Sequence, residues 1–236
     1  MNRRNVATLV ALGAAAAWCA PAPAPIVRPL AELFRIPRTL NSDGGIALTF
    51  DDGPHPQGTP AVLDILRDAD ATATFFLVGE QVERWPRIAA DIAAAGHEIA
   101  LHGYRHRNLL RRTPRGIAAD LDRAMAVIAA ATDREPGCYR PPYGVFSPAG
   151  LAAAQHRGLA PLLWSRWGCD WRACATPQSV ARRATRELTP GDVILLHDAD
   201  HYSCDGSWRT TVAALPLVLA AIAATAEPFV GVSHAM

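Results

Sequence analysis

Two carboxylates stand side by side at Asp51 and Asp52, in LTFDDGPHP, where an apolar run meets a glycine and a proline. Like charges held this close repel and titrate as a coupled pair. A bound dication removes that penalty. One carboxylate becomes its ligand, and the other, with a lowered pKa, can act as a base on a metal-bound water. Spacing alone lets either residue take either role. Two imidazoles, His102 and His106, lie four residues apart in HGYRH and can face the same way on one helical turn or converge from a loop. With Asp52 they make a His-His-Asp set that leaves one coordination position open, the pattern of a catalytic rather than a structural metal.

These residues need a frame, and the hydropathy pattern supplies one. Strands are expected at 45–50, 72–79, 97–102, 138–140, 159–165, 192–198 and 228–232. Helices are expected at 59–69 with Thr59 as N-cap, at 81–95, from Thr113-Pro114 to about 131, and at 147–158, 176–188 and 208–225. Several strands are almost continuously apolar, as strands buried on both faces of a parallel sheet are. Alternating strands and helices of this kind imply an α/β fold: a (β/α) barrel with seven strands, or an open doubly wound sheet. In either case all strand C-termini open onto one face. Asp51 and Asp52, His102, Arg140, Asp170 with Trp171, and His197 each lie at or just after a strand end. Five strands delivering ionisable groups to one rim point to an active site there.

The ordered motifs resemble the polysaccharide deacetylases of carbohydrate esterase family 4, the NodB homology domain. TFDDG (49–53), HGYRH (102–106), RPPY (140–143), DW (170–171) and ILLH (194–197) carry the resemblance, which spans about Ile46 to Val232. It implies a distorted (β/α)7 barrel and a divalent metal, zinc above others, held by Asp52, His102 and His106. It implies Asp51 as catalytic base oriented by Arg140, an oxyanion contact from the Tyr143 N–H, and His197 as general acid paired with Asp170. Trp171 and Leu196 would enclose the acetyl methyl. The implied reaction removes N-acetyl groups from amino sugars of a peptidoglycan- or chitin-like glycan. The same machinery would serve an O-acetyl esterase on a glycan such as xylan, and a dead site would leave a glycan-binding module. Two positions depart from the family: Gly103 stands where Ser or Thr is usual, and Trp167 where the first Asp of D-x-x-D-W belongs.

Half of the 236 residues are hydrophobic and the net charge is +1, which fits a folded globular protein and excludes a nucleic-acid binder with a broad basic surface. Every basic residue is Arg. Arg3 and Arg4 precede the uncharged run 6–20, short for a membrane span and suited to an export signal, or to an anchor that tethers the protein to the membrane. Residues 1–20 are therefore expected to direct export to the cell envelope, 21–42 to form an extended Pro/Ala-rich linker, and 43–236 to form the catalytic domain. In an exported protein, a disulfide among Cys169, Cys174 and Cys204 is expected. His55 and His201 have no evident partner, and Asp198 and Asp200 read as a solvated loop.

Overall fold

The structure is a computed structural model that describes residues 3–41 and 44–235; the expected domain start at Asp43 lies outside them. In chain order the elements are α1 (Arg3–Cys19), α2 (Arg28–Leu33), β1 (Ala47–Asp51), α3 (Gly58–Asp68), β2 (Thr74–Leu77), α4 (Gly79–Arg84), α5 (Pro86–Ala94) and β3 (Glu98–Leu101). They continue with α6 (Pro114–Thr132), β4 (Cys138–Tyr139), α7 (Pro148–His156), β5 (Ala160–Pro161), β6 (Arg166–Trp167), α8 (Pro177–Ala184), β7 (Val193–His197) and α9 (Ser207–Ala223). Proline opens α5, α6, α7 and α8, where its missing N–H is harmless and its fixed φ suits a first turn. Side-chain hydroxyls of Thr113, Ser147 and Thr176 accept from the first free N–H groups of α6, α7 and α8.

All seven strands are parallel, in the order β5-β4-β3-β2-β1-β7-β6. β1 and β2 at the centre are buried throughout, and their mostly apolar sequences suit strands covered on both faces. The two edges are β5 and β6, which follow one another in the chain. Leu162 N–H still donates to Tyr139 O of β4, while Ser165 N–H donates to Val193 O of β7. One short segment thus spans from one edge of the curled sheet to the other, giving a distorted (β/α)7 barrel.

The strand count of seven holds, but its membership changes. Residues 228–232 contribute only a parallel bridge from Phe229 to Ile46, and the seventh strand is β6. The expected helix 81–95 divides into α4 and α5 at Trp85, because Pro86 has no N–H to continue the ladder. The cap of α3 also differs. Its N-cap is Gln57, and the His55 ring Nδ1 accepts from the N–H of Gly58 at 2.8 Å.

The segment expected as an extended linker is folded against the barrel. It contains α2 and buries Ala24, Ala31, Ile36 and Leu40. Pro37 O accepts from Leu163 N–H, Arg38 Nε donates to Trp164 O, and Thr39 bridges Asp192 antiparallel. This strap covers the place where the sheet fails to close, so its apolar residues have a core to join. Among the described residues no helix is long and apolar enough to cross a membrane. All five cysteines are unpaired, with Cys169 buried while Cys174 and Cys204 are exposed, so the expected disulfide is not formed.

Candidate active site

β1 and β7 lie side by side, with Asp51 directly paired to His197, so their last residues reach the rim together. Just past β1, Asp52 takes a left-handed conformation, φ 78°, which costs a non-glycine residue roughly 1 kcal/mol. Gly53 follows because a Cβ there would stand 2.5 Å from the Asp198 carboxylate.

Each carboxylate meets a different set of partners. Asp51 Oδ1 accepts from Arg140 Nη1 at 2.7 Å. The same nitrogen reaches Thr49 Oγ1 at 2.9 Å, and Nη2 reaches Leu163 O at 2.9 Å. Arg140 is wholly buried, over the face of Phe76 at 3.9 Å, so its charge is compensated almost entirely by Asp51 and these oxygens. Asp52 faces the histidines. Its Oδ1 lies 3.4 Å from His102 Nε2 and 3.3 Å from His106 Nε2, and its Oδ2 lies 4.0 Å from His197 Nε2.

The three atoms Asp52 Oδ1, His102 Nε2 and His106 Nε2 can converge on one cation. A tetrahedral zinc with ligands at about 2.0–2.1 Å separates its donors by roughly 3.3–3.4 Å, which matches the two distances from Asp52 Oδ1. Asp52 Oδ1 is also buried without a hydrogen-bond partner, an arrangement that a cation would satisfy. Burial acts to raise the Asp52 carboxyl, but His102 and the charges of His197 and His106 outweigh it and hold the group well below the usual range. Burial pulls His106 down to about 4, which keeps its ring neutral and able to ligate. The ring of His106 is fixed by packing: Tyr202 stacks on it at 4.2 Å and Tyr143, itself at φ 62°, meets it edge-on at 4.5 Å. The Tyr202 hydroxyl is in turn tied to Glu80 and Gln81, each at 2.8 Å.

His197 is prepared differently. Its Nδ1–H donates to Asp170 Oδ1 at 2.9 Å, and its backbone N–H to Asp170 Oδ2 at 2.7 Å. Thr211 Oγ1 donates to Oδ2 as well, at 2.7 Å. Burial opposes the imidazolium, yet Asp170, then Asp52 and Asp51, push His197 up to about 10.

A cavity of about 270 Å³ opens over this group, with Asp51, Asp52, His102, His106 and His197 in its floor. Trp164, Trp167 and Trp171 form one wall, each ring 5.6–5.7 Å from the next, and Trp171 stands 5.4 Å from His197. A family model described as polysaccharide deacetylase matches residues 40–162, more than half of the chain. The chain belongs to the polysaccharide deacetylase family. It is thereby a hydrolase of the class that cleaves carbon–nitrogen bonds outside peptides. It is 35% identical over 197 residues to a peptidoglycan-N-acetylglucosamine deacetylase of Bacillus cereus, covering 82% of this chain and 89% of that one. It is 33% identical over 202 residues to a chitooligosaccharide deacetylase of Azorhizobium caulinodans, covering 83% and 96%. A crystal structure of a peptidoglycan N-acetylglucosamine deacetylase superposes with a TM-score of 0.80 at 28% identity, covering 87% of this chain and 94% of that one.

The two departures from the family motifs now have a setting. Gly103 has φ 91°, where a Ser or Thr would be strained. Its loop is held instead by Tyr104 N–H to Asp120 Oδ2 at 2.7 Å and by the first N–H groups of α4, which donate to Gly103 O and Tyr104 O. Trp167 belongs to β6 and lines the aromatic wall.

Asp51, Asp52, His102, His106, Tyr143, Trp171 and His197 line the cavity, while Arg140 and Asp170 stand behind it, touching Asp51 and His197. Leu196 does not reach it. Leu195 does, because successive strand residues point to opposite faces and Leu195 shares the face of His197. That alternation was available in ILLH. Thr49, two residues before Asp51 on one face, was legible in the same way. Thr211 and Tyr202 carry no local signal. Asp198 is not solvated: it is buried, accepts from Thr59 Oγ1, and burial pushes it up to about 7. Asp200 caps the Gly206 N–H at 2.6 Å and lies 3.3 Å from His55 Nε2, and His201 Nε2 donates to Pro54 O at 3.1 Å.

Proposed function

We propose that the protein removes N-acetyl groups from amino sugars of a polysaccharide or oligosaccharide, with a divalent metal, zinc foremost, held by Asp52, His102 and His106. The carrying observation is the division of labour at one cavity floor. Three donor atoms converge there, between a carboxylate paired with a buried arginine and a histidine kept protonated by a buried aspartate. When bound, the metal supplies Lewis acidity toward the attacking water and the acetyl carbonyl. Asp51, oriented by its bond from Arg140, takes the proton from that water. The Tyr143 N–H donates to the oxygen as it gains charge. His197, positively charged well above neutral pH, delivers its proton to the leaving amine, and Asp170 stabilises the cation beforehand. Trp171 and Leu195 are placed to exclude water from the acetyl methyl.

Acetate release from an N-acetylchitooligosaccharide and from acetylated xylan, in defined zinc, tests the reading. Release from the first and not the second is expected. The reverse would assign an O-acetyl esterase, and zinc binding without release from either would assign a binding module.

The same reading places the protein outside the cytoplasm, with residues 1–20 as signal or anchor. Support comes from Arg3 and Arg4 as the first residues of α1, whose residues 11–17 are apolar and exposed. A reporter active only outside the cytoplasm should give signal when fused to the full chain and lose it when residues 2–20 are deleted.

A further inference from the structure

The strap makes backbone hydrogen bonds that a closed barrel would draw from a neighbouring strand. Leu163 and Trp164 lie in the connection between β5 and β6, outside both strands. Leu163 N–H donates to Pro37 O at 2.8 Å, and Trp164 O accepts from Arg38 Nε at 3.1 Å. The strap is itself fixed on the other side of the seam, just before β7. There Leu40 N–H donates to Gly191 O at 2.8 Å, and Thr39 bridges Asp192. Asp192 in turn accepts from Ser165 Oγ at 2.6 Å and from Arg166 Nε at 3.0 Å. The connection is thus pinned along its length, although β5 and β6 have only two residues each.

The same connection seats the arginine of the catalytic centre. Leu163 O accepts from Arg140 Nη2 at 2.9 Å and Leu162 O from Arg140 Nε at 3.4 Å, while Arg140 Nη1 holds Asp51 Oδ1 at 2.7 Å. The peptide that carries Leu163 O lies between the two peptides that the strap holds. Peptide planes are rigid, so holding both neighbours sets the direction of the carbonyl between them. The Trp164 ring lies in the cavity wall, its centre 5.7 Å from Arg140 Cζ. A second strap contact packs against that ring. Pro25 Cγ stands 3.0 Å from where a Gly144 Cβ would be, and Trp164 ring atoms stand 2.6 and 2.9 Å from the same point.

Arg38 lies outside the cavity, in a separate cleft with Arg166, Thr189 and Asp192. Burial, then the charge of Arg28, pulls its guanidinium below the usual range. An uncharged side chain would cover the seam without that cost, so packing alone does not account for an arginine here.

We propose that Arg38 is a positioning residue for the catalytic base: it fixes the Leu163–Trp164 backbone, which seats Arg140, which orients Asp51. The strap is then part of the catalytic unit rather than a cover for it. Asp51 is the base only under the N-deacetylase reading, on which the inference therefore rests; the contacts from Arg38 to Asp51 stand without it.

Arg38→Met keeps the long apolar stem and removes the donor. It is compared with wild type in the full chain, at defined zinc, on an N-acetylchitooligosaccharide. A misplacement of about 1 Å at a reacting group can cost about 10²-fold, and a smaller one less, so kcat should fall about tenfold. KM and zinc affinity should stay within about twofold. Arg38→Lys, which returns a donor at a similar reach, should keep more of kcat, and it carries the same comparison if the methionine variant folds poorly. In an Asp51→Asn background, Arg38→Met should cost little more, because no base is left to position. A full second loss there overturns the proposal. So does a loss confined to KM, or a lowered unfolding midpoint with kcat per folded molecule unchanged. NMR of the Arg140 Nε–H reads the coupling without turnover: in Arg38→Met the signal should shift and exchange faster with solvent, and in Arg38→Lys it should move less. If wild type releases no acetate, the N-deacetylase reading fails while this signal still decides whether Arg38 acts on Arg140. An unmoved Arg140 signal in Arg38→Met overturns the proposal.

Discussion

Two groups of two histidines and one aspartate lie near the same rim, and each could be taken for a metal site: Asp52, His102 and His106, and His55, Asp200 and His201. Their polar atoms tell them apart. In the first, the Nε2 atoms of both rings and Asp52 Oδ1 face one another with no hydrogen bond to satisfy the carboxylate oxygen. In the second, every group already has work. His55 Nδ1 accepts from the N–H of Gly58 and Gln57, so its Nε2 must carry the proton and point it at Asp200. His201 Nε2 donates to Pro54 O, and Asp200 accepts from Gly206. Coordination would have to break helix-capping bonds in the second group and none in the first. Proximity of ligand types is therefore a weak criterion, and free lone pairs are a stronger one.

The comparison breaks most visibly if the first group tolerates loss of a ligand. His102→Ala or His106→Ala should lower zinc affinity by well over about 100-fold and abolish hydrolysis, since outer partners alone are typically worth 10–100-fold. Zinc binding by equilibrium dialysis, beside acetate release at fixed free zinc, makes the check. An activity loss of about tenfold or less would remove these residues from the ligand set.

Within the first group the adjacent carboxylates should separate. Asp51→Asn keeps its shape beside Arg140 but loses basicity, so zinc binding should persist while kcat falls about 10²–10⁴-fold. Asp52→Asn removes the anionic donor, so zinc affinity should fall first and excess zinc should restore part of the rate. The opposite pattern would exchange the two roles.

A smaller effect is expected one shell out, at Asp170. Its carboxylate contributes much of what holds His197 up at about 10. In Asp170→Asn the imidazole should titrate at lower pH, seen by NMR of the ring, and the basic limb of the rate profile should move down with it. The sign also bears on stability. A histidine with a raised folded pKa stabilises the fold fully below its unfolded pKa of about 6.5, and that contribution is lost as pH rises through the folded value. Wild type should thus lose some stability between neutral pH and about 10, and the variant should lose less over that interval. An unchanged His197 titration would remove Asp170 from this role.

The difference between the two groups also marks what sequence could and could not reveal. The rim was legible because a parallel sheet sends every strand C-terminus to one side, so Asp51, His102, Arg140 and His197 were placed by periodicity alone. Short strands were less legible: β6 is two residues of a segment that continues from β5, and its apolar content does not distinguish it from its neighbours. The strap at 21–40 carries Pro and Ala, which suit a solvated linker and a covering layer equally, and only the gap between β5 and β6 shows which applies. For the histidines the limit was sharper. His55 and His106 are the same residue type near the same rim, and their roles diverge through the tautomer that backbone N–H groups impose, which no residue spacing records.

The smallest expected effect is at that second group, and it sharpens the contrast because it should be purely structural. His55→Ala removes the ring acceptor of the Gly58 and Gln57 N–H groups and so uncaps α3. Losing a side-chain cap typically costs about 1 kcal/mol. Asp200 would lose one neighbour but keep its bond from Gly206, and His201 would keep Pro54, so the loop after β7 should hold. Denaturant unfolding should show a drop of about 1 kcal/mol, with zinc affinity unchanged within about twofold. His55→Asn, which can accept at a similar place on a shorter side chain, should recover part of the stability. If His55→Ala instead lowers zinc affinity tenfold with no change in unfolding, the second group binds metal after all, and the tautomer argument that separates the two is wrong.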